Sequence, residues 1–414
     1  MNTFLKQRSD CAVCGNTSVE TVIELEQSPI ANKFLNSADE PLELFPLNLQ
    51  YCKQCNNLQL EHCISDDHLY DESYAYFTPT SNSLDTHYMK TQQEFSHLGV
   101  INNRCKMIEI GSNNGEFLRL FQGVAASILG IDPAKDAALI ANATGVPTIA
   151  DFFNLTVADK ILSLHGQANL VVARHMFAHN VEPQKILAGV EKVLAPDGTF
   201  YIENAYAIDT LLSGEFDQIY HEHMYYYGAS SLNELLKSQG FEIYDIFFSE
   251  IHGGTACFMA ARKGVKPISA RLKRCLDKEN TIFSDTKTFP NFRFKVSKLQ
   301  AKMAKLFKHA ADNGETLGVY SIPNKFFTLM SHCDIPLEQL SMFIDTSPNK
   351  IGKFLPGALQ PIEGEAALTE KTCDIFIVGA WNYSADIKAK SGQVFKKGTK
   401  LVFPLPEFEI YDVY

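Results

Sequence analysis

Short apolar runs recur through the middle of the chain and are spaced by longer helical stretches. Ile108-Glu109-Ile110, Ala126-Ser127-Ile128-Leu129-Gly130-Ile131, Leu170-Val171-Val172 and Gly198-Thr199-Phe200-Tyr201-Ile202 are too short for helices and read as buried strands. Strands alternating with helices predict a parallel sheet covered by helices on both faces. A polar helix around residues 291–312 then leads into a smaller α/β unit, with strands expected at Thr316 to Tyr320, Leu340 to Ile344, Ile375 to Val378 and Lys400 to Phe403. Ahead of the first alternation lie strand-like pieces and turns. The pattern divides the chain into residues 1–75, 76–285 and 286–414, with no internal repeat and no low-complexity tract.

Composition changes this picture little. The 414 residues are 45% hydrophobic and 21% charged, an ordinary globular balance. A formal net charge of −11, with no run of Lys or Arg, argues against nucleic acid as a partner. Met1-Asn2-Thr3-Phe4-Leu5-Lys6 lacks the apolar stretch of a signal peptide, and no segment is apolar for the roughly 20 residues a membrane span needs. A cytoplasmic protein with no membrane partner is expected.

The cysteines change it more. Of ten, four form two pairs, Cys11-x-x-Cys14 and Cys52-x-x-Cys55, while the others, such as Cys105, Cys257, Cys275, Cys333 and Cys373, are scattered singly. Each pair suits a tight knuckle that points two thiolates at one centre, and two knuckles make the S4 tetrahedron that zinc prefers. Gly15 follows the first pair, where a tight turn favours glycine. Four thiolates leave no open coordination position, so the zinc is expected to be structural. Two unrelated pairs or a redox dithiol are the alternatives.

The first strand of the middle region runs into Gly111-Ser112-Asn113-Asn114-Gly115 and then into helical Glu116 to Phe121. The glycines let a ligand approach the backbone. The next strand ends in Gly130-Ile131-Asp132, and a carboxylate there can accept both hydroxyls of a ribose. The dinucleotide pattern G-x-G-x-x-G is absent, as is a Gly-Lys-Ser/Thr phosphate loop. Glu109-x-Gly111-x-x-x-Gly115 resembles the first motif of class I S-adenosylmethionine (SAM) methyltransferases. That resemblance implies that Glu109 anchors the loop and that SAM lies over Gly111, Asn113 and Gly115. Its ribose would then rest on Asp132, and its adenine beside Asp151 and Phe152.

Tyr220-His221-Glu222-His223 is dense in titratable groups. His-x-His could supply two metal ligands, but no third is evident nearby, and a structural polar turn is a further alternative. Histidine titrates near neutral pH, and a neighbouring Glu can fix its tautomer, so acid–base chemistry is the leading reading. With this block, the chain resembles the C-methyltransferases that act on nucleotide-linked 4-ketohexoses. These carry a zinc domain, a class I SAM domain and a C-terminal Rossmann-like domain. Tyr-His-Glu-His is their hallmark, and the resemblance carries the role of base to His223, with Tyr220 and Glu222 in support. His221 is the rival base. Ala178-His179, His252-Gly253-Gly254-Thr255, the tyrosine-rich Tyr74 to Thr78 and the stretch Ile344 to Gly357 also match, although His175 stands where the family usually has Asn. The resemblance implies that Tyr76, Tyr220 or His179 donates to a developing enolate oxygen. It further implies that His252, Gly253, Asn324, Lys325 and Lys353 contact substrate.

One stretch departs from the family. Its C-terminal domain usually opens with Gly-Tyr-Gly-Ala-x-x-Lys-Gly, and this chain has Gly318-Val319-Tyr320-Ser321-Ile322-Pro323-Asn324-Lys325. The nucleotide carried by the substrate is thereby left open. Methylation of oxygen or nitrogen on another small molecule, or partner binding without catalysis, are the competing functions. The first needs no carbanion and gives less use to the histidine block. The second predicts that SAM is not taken up.

Overall fold

The computed structural model describes residues 4–69 and 81–414. Near the N-terminus, strands Val19–Ser28, Phe45–Cys52 and Asn57–Leu60 form an antiparallel sheet. Its fourth strand, Tyr225–Tyr226, comes from the middle of the chain and pairs Tyr225 with Gln59 and Tyr226 with Leu58. The residues just after the histidine block are therefore stitched into the cysteine-bearing sheet.

The middle region builds a seven-stranded sheet. Its strands are β1 (Lys106–Ile110), β2 (Ser127–Asp132), β3 (Thr148–Ala150), β4 (Ala168–Arg174), β5 (Leu194–Ala205), β6 (Phe241–Ser249) and β7 (Thr255–Arg262). They lie in the order β6-β7-β5-β4-β1-β2-β3. All neighbours are parallel except those of β7, which runs antiparallel to both β5 and β6. This is the class I SAM methyltransferase arrangement. β4 reads Ala-Asn-Leu-Val-Val-Ala-Arg and is buried along almost its whole length, as a strand covered on both faces must be. The chain leaves β1 to one side for β2 and β3 and returns on the other side to β4. That reversal opens a crevice at the carboxyl ends of β1 and β4, where ligands of such sheets bind.

Helix Thr288–Asn313 follows, with Phe292, Val296, Leu299, Met303, Leu306, Phe307 and Ala310 buried along one stripe. Six further strands are β8 (Leu317–Tyr320), β9 (Leu340–Ile344), β10 (Ile362–Glu363), β11 (Ile375–Val378), β12 (Lys400–Phe403) and β13 (Glu409–Asp412). Their order is β10-β9-β8-β11-β12-β13, parallel except for β13. This second sheet also reverses, between β8 and β11. Its core is continuous with the N-terminal sheet: Leu47, Leu49 and Tyr51 join the same cluster as Phe292, Val296, Phe327 and Phe343. Arg293 adds a hydrogen bond to the Val22 carbonyl at 2.9 Å.

Candidate functional site

The four paired cysteines converge. Cys11 and Cys55 sulfurs lie 3.6 Å apart, as do those of Cys14 and Cys52, and all four lie within 4.8 Å of one another. A tetrahedron of thiolates around zinc has edges of roughly 3.8 Å, so the set fits that ion. The Gly15 N–H closes the first knuckle on the Cys11 carbonyl at 2.8 Å. In the second, Asn56 takes the positive φ of 58°. The cluster lies in the N-terminal sheet and brings no open ligand position toward the crevice.

At the crevice, Gly111 and Gly115 have φ of 72° and 78°. A Cβ at Gly111 would stand 2.9 Å from Met176 and one at Gly115 2.9 Å from Val146, so both positions exclude side chains on two grounds. Asp132 ends β2, and its two oxygens accept the Asn113 and Ala134 N–H groups at 2.7 and 2.9 Å. The Asn113 bond holds the loop to the next strand, the Ala134 bond closes a local turn, and lone pairs remain for a further donor. Asp151 follows β3 and donates its N–H to the Asp132 carbonyl at 3.1 Å, and Phe152 is 51% exposed. An exposed aromatic beside two strand-end carboxylates suits a nucleoside. Glu109 is fully buried and pairs with Arg174 of β4 at 2.8 Å. Burial pushes its pKa up and Arg174 opposes the shift. The Arg174 guanidinium lies 4.0 and 4.5 Å from the ring centroids of Phe117 and Tyr88. Glu109 thus braces the loop from beneath, and its second oxygen has no hydrogen-bond partner among the described residues.

Residues 219–224 form a turn, and the two histidines of the block point to different sides of it. His221 is fully buried and packs edge-on to Phe45 of the N-terminal sheet, 5.9 Å between centroids. Burial pushes its pKa down to about 4. Glu222 is also buried and accepts from the Asn32 amide at 3.5 Å. His223 faces the other way. Its Nδ1 lies 3.0 Å from the Gln218 carbonyl and its Nε2 2.6 Å from the Tyr220 hydroxyl. A carbonyl only accepts, so Nδ1 carries the proton and Nε2 presents its lone pair. The ring lies 5.1 Å from that of His179. Burial, then the neighbouring His179, holds the His223 pKa well below the usual imidazole value. Burial likewise pushes His179 down to about 4.

A second network at the same end of the sheet was not legible in the sequence. Glu203, fully buried in β5, accepts from His87 at 2.9 Å, from His175 at 3.0 Å and from the Tyr201 hydroxyl at 2.6 Å. Its pKa lies well below the carboxylate range: burial pushes it upward, but His87 and His175 outweigh that push. The His175 ring stands 4.6 Å from that of His252. His175, just after β4, is therefore part of a carboxylate-anchored group at the carboxyl end of that strand.

The substrate residues expected in the C-terminal unit are less clearly gathered. Gly253 is closed in, because a Cβ there would collide with Glu215 and stand 2.7 Å from Trp381. Lys325 opens helix Lys325–His332 but turns inward, its ammonium 3.5 Å from the Trp381 ring centroid. Burial lowers its pKa to about 8 against the pull of Asp217 and Glu215, while burial raises Glu215 to about 9. An exposed phosphate ligand would not be enclosed in this way. Asn324 precedes the helix and is half-buried, and Lys353 is half-buried on the loop after β9. Asp345 holds the Ser321-Ile322-Pro323 loop through the Ile322 N–H at 2.7 Å, and Lys350 joins them at 3.1 Å. The bulky Tyr320 and Ile322 point into the core rather than into a ligand space. Tyr74 and Tyr76 lie outside the described residues. Among the described residues no helix is long and apolar enough to cross a membrane.

Three family models match in sequence: a zinc binding domain over residues 11–70, a methyltransferase domain over 84–246, and a C-methyltransferase C-terminal domain over 250–406. C-methyltransferase NovU of Streptomyces niveus is 29% identical over 413 residues, which is 98% of each chain. Among solved structures, a SAM-dependent methyltransferase from Archaeoglobus fulgidus aligns with 42% of this chain and 94% of its own, at 16% identity and TM-score 0.35. Magnesium protoporphyrin IX methyltransferase from Synechocystis, with bound SAM, aligns with 45% of this chain and 88% of its own, at 12% identity and TM-score 0.33.

Proposed function

We propose, for a chain that belongs to the SAM-dependent C-methyltransferases with an N-terminal zinc domain and a dedicated C-terminal domain, that it methylates the carbon next to the ketone of a nucleotide-linked 4-keto-deoxysugar. Carbon C3 is the proposed acceptor, and His223 the base. The observation that carries this reading is the imidazole of His223, fixed by the Gln218 carbonyl so that Nε2 offers its lone pair beside Tyr220 and His179.

The cofactors are SAM and a structural zinc. Gly111, Asn113, Gly115 and Asp132, with Asp151 and Phe152 at the rim, would hold SAM, and the four cysteines would hold the zinc. SAM supplies a methyl group on a sulfonium, open to in-line attack by a carbon nucleophile. The chain's own residues must make that nucleophile. A ketone acidifies the adjacent C–H, and a neutral imidazole can take that proton while charge spreads onto the ketone oxygen. The depressed pKa of His223 keeps it unprotonated at neutral pH, the state a base requires. Tyr220 donates to Nε2 in the absence of substrate. When the ketone arrives, that hydroxyl, or the His179 ring, is placed to donate to the enolate oxygen instead. Tyr76 is proposed to share this role. His252, Gly253, Asn324, Lys325 and Lys353 remain proposed substrate contacts, with Lys325 requiring the junction around it to open.

Mass spectrometry of nucleotide-linked 4-keto-deoxysugars incubated with SAM and the protein tests the reading. A product heavier by one methylene, with the methyl on carbon, is expected. A methyl ether or methylamine from an accepted substrate would assign the chain to a different reaction.

A further inference from the structure

The Gln218 carbonyl decides which nitrogen of His223 carries the proton, and the residues on both sides of it are held from the C-terminal unit. Asp217 is fully buried, and Trp381, which follows β11, donates its indole N–H to Asp217 Oδ2 at 2.6 Å. On the other side, Thr328 of helix Lys325–His332 donates its hydroxyl to the Ile219 carbonyl at 2.6 Å. Between these anchors the Gln218 carbonyl accepts from His223 Nδ1 at 3.0 Å and from the Tyr226 hydroxyl at 3.1 Å. The ammonium of Lys325 lies over the face of the Trp381 ring, 3.5 Å from its centroid. Asp217 Oδ1 and Lys325 Nζ have no hydrogen-bond partners among the described residues, so the indole bond is the one such contact from the C-terminal unit that fixes the Asp217 carboxylate.

We infer that Trp381 and Thr328 are positioning residues: together they pin peptide 217–219 so that the Gln218 carbonyl holds His223 in the Nδ1–H tautomer. The C-terminal domain then does more than enclose substrate, because it sets the orientation and proton placement of a ring in the central domain. The Gln218 and Ile219 N–H groups also bond the Glu215 and Phe216 carbonyls at 3.1 and 2.9 Å, so losing either anchor loosens rather than frees the peptide, and it leaves a buried acceptor unpaired, which favours a shift of the Gln218 carbonyl. The consequence for rate rests on the proposed role of His223 as base; the consequence for the ring itself does not.

The two can be read apart on the full-length protein with ¹⁵N-labelled histidine, the His223 signals being assigned by their loss in His223→Gln. The wild type should show one tautomer, protonated at Nδ1. Trp381→Phe, which keeps the ring, and Thr328→Val, which keeps the shape, should each give a mixture of tautomers. Each should also lower SAM-independent deuterium exchange at the acidic sugar carbon by about tenfold, the change that one lost buried hydrogen bond converts to. Affinity for S-adenosylhomocysteine should hold. Thr328→Val is the milder change and remains informative if Trp381→Phe folds poorly. A single Nδ1–H tautomer in both folded variants overturns the inference. Mixed tautomers with undiminished exchange support the positioning and overturn the base assignment of His223 instead.

Discussion

One residue separates His221 from His223, and the turn that carries them sends the two rings into different surroundings. His223 meets a carbonyl and a phenol, whereas His221 meets Phe45. Sequence alone left both as candidate bases because the side of a residue depends on local backbone, and residues 219–224 are neither helix nor strand. His223→Gln should leave S-adenosylhomocysteine affinity intact and lower turnover by about 100-fold or more, the scale of a positioned acid–base group; steady-state rates beside calorimetry check it. His221 makes a different prediction. Burial lowers its pKa from 6.5 to about 4, so the unfolded chain binds a proton there that the folded chain refuses. Its contribution to stability is complete above about pH 6.5 and is lost as pH falls toward about 4, amounting to about 2 kcal/mol by pH 5. Denaturant midpoints of the wild type should therefore drop between pH 7.5 and pH 5 by more than those of His221→Leu. Equal drops would show that His221 titrates normally. Glu203 was not singled out because nothing in Phe200-Tyr201-Ile202-Glu203 distinguishes a strand-end carboxylate from a surface one. Its partners His87 and His175 are far away in sequence.

Elements were more legible than residues wherever an apolar run stood between clear breakers. The expected strands at Leu340 to Ile344, Ile375 to Val378 and Lys400 to Phe403 coincide with β9, β11 and β12, and the helix expected at 291–312 is Thr288–Asn313. The hairpin of β6 and β7 gave no comparable signal. β7 reads Thr-Ala-Cys-Phe-Met-Ala-Ala-Arg, a composition that suits a helix as well as a strand, and only its place between β5 and β6 settles it. Tyr225–Tyr226 is too short to be read as a strand and exists because Asn57–Leu60 offers it an edge. The strand–glycine–helix loop carries its own prediction. Asp132 accepts the Asn113 and Ala134 N–H groups and is the proposed ribose ligand, so Asp132→Ala should weaken S-adenosylhomocysteine binding by at least tenfold, about 1.4 kcal/mol. Unchanged calorimetric affinity would remove Asp132 from the cofactor site. The cysteine knuckles carry another. One zinc per chain is expected, and Cys11→Ser with Cys52→Ser should lose both the metal and protection of residues 4–69 from proteolysis. Zinc-free protein purified without chelator would contradict it.

At the scale of the whole molecule, the interpenetration of the sheets was not legible. The N-terminal sheet borrows Tyr225–Tyr226 from the centre, shares a core with the C-terminal sheet, and supplies the Phe45 wall against His221. Such contacts join residues separated by hundreds of positions, and a single sequence carries no periodicity for them. The crevice at the carboxyl ends of β1 and β4 is flanked by the Glu203 network, and the residues leading into the turn 219–224 are tied to the C-terminal unit through Trp381 and Thr328. In the proposed mechanism this crevice makes a carbanion before methyl transfer, with His223 taking the proton. Deuterium exchange at the carbon beside the ketone tests it most directly, measured in heavy water with a nucleotide-linked 4-keto-deoxysugar and no SAM. The wild type should incorporate one deuteron, and His223→Gln should lose that exchange by about 100-fold or more. Incorporation at the wild-type rate in that variant would contradict it.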